Sequence, residues 1–345
     1  MQTTNKVLMV RPVRFAFNEQ TAANNAFQQN TTADEEAAQK VQRQALKEFD
    51  AYVKLLQDSG VEVIVAEDTP QPFTPDSIFP NNCFSVHCCD GSVNACCDGK
   101  NPSGACCAGA SAESTLVLYP MFAPNRREER RKLMDKLSGL KCDKVVDLTG
   151  FEKQNKFLEG TGSMVLDREH KLAFCCKSPR TNEEVLDKFA EKLDYDYFLF
   201  DAADENGTPI YHTNVMMSIG SRFAIVCLDS ITDLSERERL IELLEENGKE
   251  IVEISFEQMG QFAGNMLELH AGKAADKTHD GSVAGKAHDG SCKKLLIMSA
   301  TAKASLTPEQ IKKLEEDVTI VAPDIHTIET AGGGSARCML AEIYR

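Results

Sequence analysis

Basic residues are scarce. The 345-residue sequence sets 38 Lys and Arg against 53 Asp and Glu, a formal net charge of -15. That balance excludes a general binder of nucleic acid or of anionic membrane. No apolar run approaches the roughly twenty residues that a bilayer-spanning helix requires. Met1-Gln2-Thr3-Thr4-Asn5-Lys6 enters a short strand-like run at Val7 without the apolar stretch of a signal peptide. Cysteine, by contrast, is plentiful. The 13 cysteines form an odd set in a large chain without a secretion signal, so we read them as reduced thiols in a cytosol. With 42% hydrophobic and 26% charged residues, the chain is globular and long enough for one large domain or two ordinary ones. Composition thus gives a soluble, acidic, cytoplasmic protein and names no activity.

Internal repetition says more. Five times a short apolar strand leads into an amphipathic helix: Val7–Val10, Leu116–Tyr119, Leu172–Cys175, Ala224–Cys227 and Leu295–Met298 are the strands. The first helix carries Leu46, Phe49, Val53 and Leu56 on one face, and the last runs over Glu309–Glu316. Thr181 with Glu184, and Thr307 with Gln310, have capping-box spacing. Upstream of each apolar strand we expect a second, polar-led strand, starting at Asp76, Glu159, His212 and Gly264-Asn265. The fifth, Gly332–Cys338, would join the N-terminal strand and close a ring. With two insertions set aside, the units recur about every 50 to 55 residues, a repeat architecture. The competing reading is two Rossmann-like domains whose α/β units are alike by chance.

Both insertions fall between the paired strands of one unit. The first, roughly Cys88 to Glu113, holds three Cys-Cys pairs; the second, roughly residues 271–292, repeats His-Asp-Gly-Ser. Neither shows hydrophobic periodicity, so both read as expanded surface hairpin loops. Thiolates and imidazoles are metal ligands, but vicinal Cys pairs at this spacing match no compact zinc pattern. No metal site is assigned.

In a closed ring the polar-led positions converge, which brings Asp76, Glu159, His212 and Cys338 together. A cysteine works as a thiolate nucleophile and needs an acid/base partner, which His212 supplies. Two carboxylates suit a planar, nitrogen-rich group, because each accepts paired N–H bonds. Together they describe attack on a guanidinium or ureido carbon. Glycines ahead of Cys338 would let the backbone approach a ligand closely. Singly, each residue has a bland alternative: an inert cysteine, a strand-end histidine, a turn aspartate.

These segments resemble the guanidino-group-modifying, or pentein, superfamily, and in particular its arginine-deiminase-related citrulline utilisation hydrolases, often labelled amidinotransferases. Phe73-Thr74-Pro75-Asp76 resembles the segment whose Asp holds the guanidinium, and Leu158–Gly162 the one carrying the second carboxylate. His212-Thr213-Asn214 is similar to the catalytic histidine segment, and Gly333–Met339 to the nucleophile segment. Ser178-Pro179-Arg180-Thr181-Asn182 and Ala123-Pro124-Asn125-Arg126-Arg127 are similar to motifs of the dimethylarginine dimethylaminohydrolases. The first of these implies that Arg180, with Arg126 as a second candidate, grips the substrate α-carboxylate.

The resemblance covers nearly the whole chain outside the insertions. It implies one catalytic domain over residues 1–345, folded as a five-bladed α/β propeller of ββαβ units around a pseudo-fivefold axis. No metal or organic cofactor is implied. Asn214 stands where deiminases have a second Asp, and Asn81-Asn82 where the dimethylarginine enzymes have Glu-Asp. Losing those carboxylates favours a neutral ureido group over a cation. The expectation is therefore a cysteine-dependent hydrolase of a guanidino or ureido amino acid, citrulline first. Cys338 is the nucleophile, His212 the acid/base and Glu159 its catalytic partner, while Asp76, Arg180 and Arg126 bind substrate. Amidinotransferase, arginine deiminase and dimethylarginine hydrolase chemistry are alternatives on the same residues. A non-catalytic ribosome-binding pentein is the alternative of a different class. Neither nucleic acid nor membrane is an expected partner, and homo-oligomerisation stays open.

Overall fold

The computed structural model describes residues 1–22, 25, 27–30, 35–88, 113–272 and 292–344. In chain order the strands are β1 (Lys6–Arg11), β2 (Glu62–Glu67), β3 (Phe84–Cys88), β4 (Ser114–Leu118) and β5 (Lys144–Asp147). Then come β6 (Met164–Asp167), β7 (Leu172–Cys176), β8 (Asp196–Phe200), β9 (Met217–Ile219) and β10 (Phe223–Val226). The last are β11 (Glu250–Glu253), β12 (Leu267–His270), β13 (Lys294–Ile297), β14 (Thr319–Val321) and β15 (Ala341–Glu342). They pair into five separate three-stranded sheets, β15-β1-β2, β3-β4-β5, β6-β7-β8, β9-β10-β11 and β12-β13-β14. In every sheet the middle strand is antiparallel to the first and parallel to the third.

A helix makes each parallel crossover, the first being Glu35–Asp58 and the third Glu183–Leu193. Parallel pairing demands such a connection, which is why every apolar strand of the repeat is followed by a helical pattern. The middle strands are buried on both faces. Leu172–Cys176, for instance, is buried throughout, hence its unbroken apolar text. Five small mixed sheets exclude the two-domain doubly wound reading, which requires extended parallel sheets.

Apolar clusters join the units in sequence. Leu8 and Val10 pack with Phe84 and Leu116, and Val117 and Tyr119 with Met164 and Ala173. Phe174, Met217, Phe223 and Leu296 share a further cluster, and Leu295 and Ile297 return to Val7 and Met9. The last strand closes the circuit: Val7 pairs with Glu342 and Leu8 with Ala341. Among the described residues no helix is long and apolar enough to cross a membrane.

Three local expectations need correction. The polar-led positions are not strand starts. Glu159 and His212 are the N-terminal caps of one-turn helices, Gly160–Ser163 and Thr213–Met216, and each strand begins afterwards. Asp76 lies in a turn ahead of Pro80–Asn82, and Cys338 within the 3-10 turn Ala336–Met339. Pro75 and Pro80 bar a ladder at Asp76, since proline has no N–H to give.

The capping box at Thr307 and Gln310 forms with both of its bonds. The one at Thr181 does not: Asn182 caps that helix, and Thr181 bridges to Leu158 and Ser178. Of the first helix's expected face, Phe49 and Leu56 are buried, but Leu46 and Val53 only partly; Ala45 and Tyr52 complete the buried stripe.

Each insertion does link the antiparallel pair of one sheet, β3 to β4 and β12 to β13, though apart from Cys88 the Cys-Cys pairs and the His-Asp-Gly-Ser repeats lie outside the described residues. Cys88 pairs directly with Ser114, which a two-residue turn can bridge. Replacing the intervening segment with Asn-Gly should therefore leave the melting temperature within a few degrees, about 1 kcal/mol either way. Thermal melting and metal analysis test this; stoichiometric zinc lost together with the fold would overturn it.

Candidate active site

Glu159 and Arg180 are brought together by their backbones. The Glu159 N–H donates to the Arg180 carbonyl at 3.2 Å, and Ser163 Oγ donates to the same carbonyl at 2.6 Å. The Thr181–Leu158 bridge that displaces the capping box seats Arg180 beside Glu159. Arg180 Nη1 donates to Glu159 Oε2 at 3.3 Å, and its guanidinium lies 4.7 Å over the Tyr211 ring.

The next residue, His212, places Nε2 2.8 Å from Glu159 Oε2. A carboxylate accepts, so Nε2 carries the proton and Nδ1 is left as the basic nitrogen of a neutral ring. Burial pushes the imidazole down to about 4, against the upward pull of Glu159. Burial would raise the Glu159 carboxyl, but Arg180, the hydrogen bond from His212 and Arg126 together hold it far below the usual range. The pair is therefore carboxylate and neutral imidazole at neutral pH.

Arg126 stands behind this pair. It bonds Glu129 through Nε (2.9 Å) and Nη2 (3.2 Å), Asn82 Oδ1 through Nη1 (2.9 Å) and the Phe79 carbonyl through Nη2 (3.3 Å). Glu159 Oε2 and Asp76 Oδ2 each lie 3.7 Å from its guanidinium. Burial pushes Glu129 up to about 7 despite Arg126. Burial also raises Asp76, opposed by Arg126 and by hydrogen bonds from Asn18 (2.8 Å) and Thr21 (3.2 Å) to Oδ2. Asp76 Oδ1 is buried without a hydrogen-bond partner, an acceptor that a bound N–H could satisfy.

Cys338 joins the group through asparagines. Its Sγ accepts from Asn265 Nδ2 at 3.2 Å and from Asn214 Nδ2 at 3.5 Å, and Asn214 sits two residues after His212. The structure thus gathers Asp76, Glu159, His212, Arg180 and Arg126 by direct contact, while Cys338 is linked to them through Asn214. The glycine run before Cys338 does allow a close approach, but to a protein ring: a Cβ on Gly334 would sit 2.8 Å from Phe79.

Glu129, Asn18 and Thr21 escaped the sequence reading, and Asn265 was read only as the head of a strand. The Arg126/Glu129 spacing of three residues on a helix was a legible signal; the contacts of Asn18 and Thr21 with Asp76 had none. Among the described residues no cluster of three or more His, Cys, Asp or Glu is arranged to hold a metal.

The model of the eukaryotic N,N-dimethylarginine dimethylhydrolase family matches residues 11–345. The chain belongs to that family. It is accordingly an enzyme, a hydrolase of carbon–nitrogen bonds other than peptide bonds, within the guanidino-modifying superfamily that the motifs resembled. No curated protein matches the sequence.

Solved structures show the fold at low identity. The N-terminal domain of ArgZ, a cyanobacterial arginine dihydrolase of the ornithine–ammonia cycle, was solved as a cysteine-to-serine mutant bound to substrate. It is 16% identical, with a TM-score of 0.64 over 97% of this chain and 96% of that one. The dimethylarginine hydrolase of Pseudomonas aeruginosa, complexed with citrulline, is 12% identical with a TM-score of 0.58 over 99% of both chains. AgrE with L-arginine is 15% identical with a TM-score of 0.65 over 99% of this chain and 40% of that one.

Proposed function

We propose that this chain hydrolyses the ureido or guanidino group of an arginine-related amino acid through a covalent Cys338 intermediate, with citrulline as first substrate. The buried Glu159–His212 pair, 2.8 Å apart and linked through Asn214 to Cys338, supports this most directly. Neutral His212 takes the Cys338 proton, and the thiolate attacks the ureido carbon. The bond to the leaving nitrogen breaks as His212 returns that proton to it. Water, deprotonated by His212, then cleaves the thiocarbamate; ornithine, ammonia and carbon dioxide result. Asp76 and Glu159 receive the substrate N–H groups, and Arg180, with Arg126 behind it, the α-carboxylate.

Support for a neutral substrate comes from two of the three amides, Asn81, Asn82 and Asn214, at the departures from the family pattern. Asn82 accepts from Arg126 and Asn214 donates to Cys338, so neither adds a negative charge. A second reading, hydrolysis of dimethylarginine, is favoured by the description of the matching family. The sheets are read as five blades around a pseudo-fivefold axis forming one catalytic domain, which the circuit of apolar clusters supports. The compartment is read as cytoplasmic.

Incubation with citrulline, arginine, agmatine and methylarginines, with products identified by mass spectrometry, tests the proposal. Ornithine from citrulline upholds it. Citrulline and dimethylamine from dimethylarginine would displace citrulline as first substrate in favour of the second reading, and transfer products seen only with an added amine would make the enzyme an amidinotransferase. Arg180→Ala should cost amino-acid substrates about 100-fold in kcat/KM, the size of a lost charge-assisted clamp. Agmatine, which lacks the α-carboxylate, should lose much less. Equal losses on both would refute the clamp.

A further inference from the structure

Asn265 occupies the fourth unit-leading position, just ahead of β12, and is buried. All three polar contacts of its side chain run to the segments holding the proposed nucleophile and acid/base. Nδ2 donates to the Asn214 carbonyl at 3.0 Å and to Cys338 Sγ at 3.2 Å; Oδ1 accepts from the Arg337 N–H at 3.0 Å. Asn214 follows His212 by two residues, and Arg337 immediately precedes Cys338. One planar amide therefore spans the acid/base turn and the nucleophile turn, which lie more than a hundred residues apart in the chain.

The surrounding backbone is built to deliver it. A Cβ on Gly264 would lie 2.2 Å from the Val215 carbonyl oxygen, so the segment can approach the His212–Val215 turn this closely only without a side chain there. The Asn265 N–H is itself tied to the Phe262 carbonyl at 2.9 Å. The residue type is demanding as well. Two donors and one acceptor on a short rigid head are available from Asn; Asp cannot donate, and Ala reaches nothing.

We propose that Asn265 is a positioning residue: it fixes the Cys338 sulfur against His212 and supplies the shorter of that sulfur's two amide contacts. This deepens the proposed function and rests on Cys338 being the nucleophile.

The test compares the native protein with Asn265→Asp, Asn265→Ala and Cys338→Ser. It measures turnover of citrulline, arginine and dimethylarginine, alkylation of Cys338 by iodoacetamide (read by peptide mass spectrometry), and melting temperature. Both Asn265 variants should lose about 100-fold in kcat on any amino acid the native protein turns over, with KM within about threefold. Alkylation of Cys338 should slow by about tenfold or more, because the thiolate loses an N–H partner. The alanine variant decides if the aspartate variant does not fold, and alkylation decides if no amino acid is turned over. Values of kcat and alkylation within about threefold of native, alongside an inactive Cys338→Ser, would overturn the positioning role alone. A fully active Cys338→Ser would instead remove the nucleophile on which it rests.

Discussion

Changing Cys338 to Ser should silence turnover by more than about 1,000-fold while the protein stays folded. Cys338 is buried, and its sulfur accepts from two amides, Asn265 and Asn214. A serine hydroxyl fills nearly the same volume and can accept from the same donors, so packing changes little. The chemistry changes a great deal. A hydroxyl is far harder to deprotonate than a thiol, and an imidazole held down to about 4 is a weak base for it. Melting temperature should move by only a few degrees, and intact-mass spectra should show no adduct after incubation with substrate. Activity near the native level would take Cys338 out of the mechanism, whatever the family.

Much of this site was legible because the repeat does the converging. Once five strand–helix–strand units are seen, Asp76, Glu159, His212 and Cys338 fall at corresponding places without any knowledge of their contacts. What the pattern could not convey was local geometry. A single helical turn of four residues, as at Gly160–Ser163 and Thr213–Met216, is too short to show a 3.6-residue period and reads as the head of the following strand. Thr181 shows the same limit: its spacing to Glu184 fits a cap, but a bridge to Leu158 claimed its backbone first. Asn18 reaches Asp76 across 58 residues, from a segment with no periodic text, and such contacts have no local signature. Asn265 is a different case. It stood at a corresponding place and was left out of the chemical set because an amide neither titrates nor attacks.

The remaining large effect concerns His212. His212→Ala should lower turnover by about 100- to 10,000-fold, the usual span for a general acid/base, while leaving Cys338 open to alkylation. The same variant should change how stability responds to acid. Burial, aided by Arg180 and Arg126, holds the imidazole down to about 4, whereas in the unfolded chain it returns to its ordinary value of 6.5. Between those values the unfolded state binds the extra proton, so stability falls as pH drops from 6.5 towards 4. Glu159, whose folded carboxyl is held below its ordinary value of 4.5, adds a loss of the same sign below that pH. Glu129 acts oppositely: burial raises it to about 7 from 4.5, so its contribution is full below 4.5 and fades as pH rises through 7. Denaturant unfolding at several pH values should show a shallower acid loss between 6.5 and 4 in His212→Ala than in the native protein. An unchanged slope would assign the acid-labile proton to another group, with His87 first in line because burial also holds it well below its ordinary value. Full turnover in the variant would show that some other side chain moves the protons.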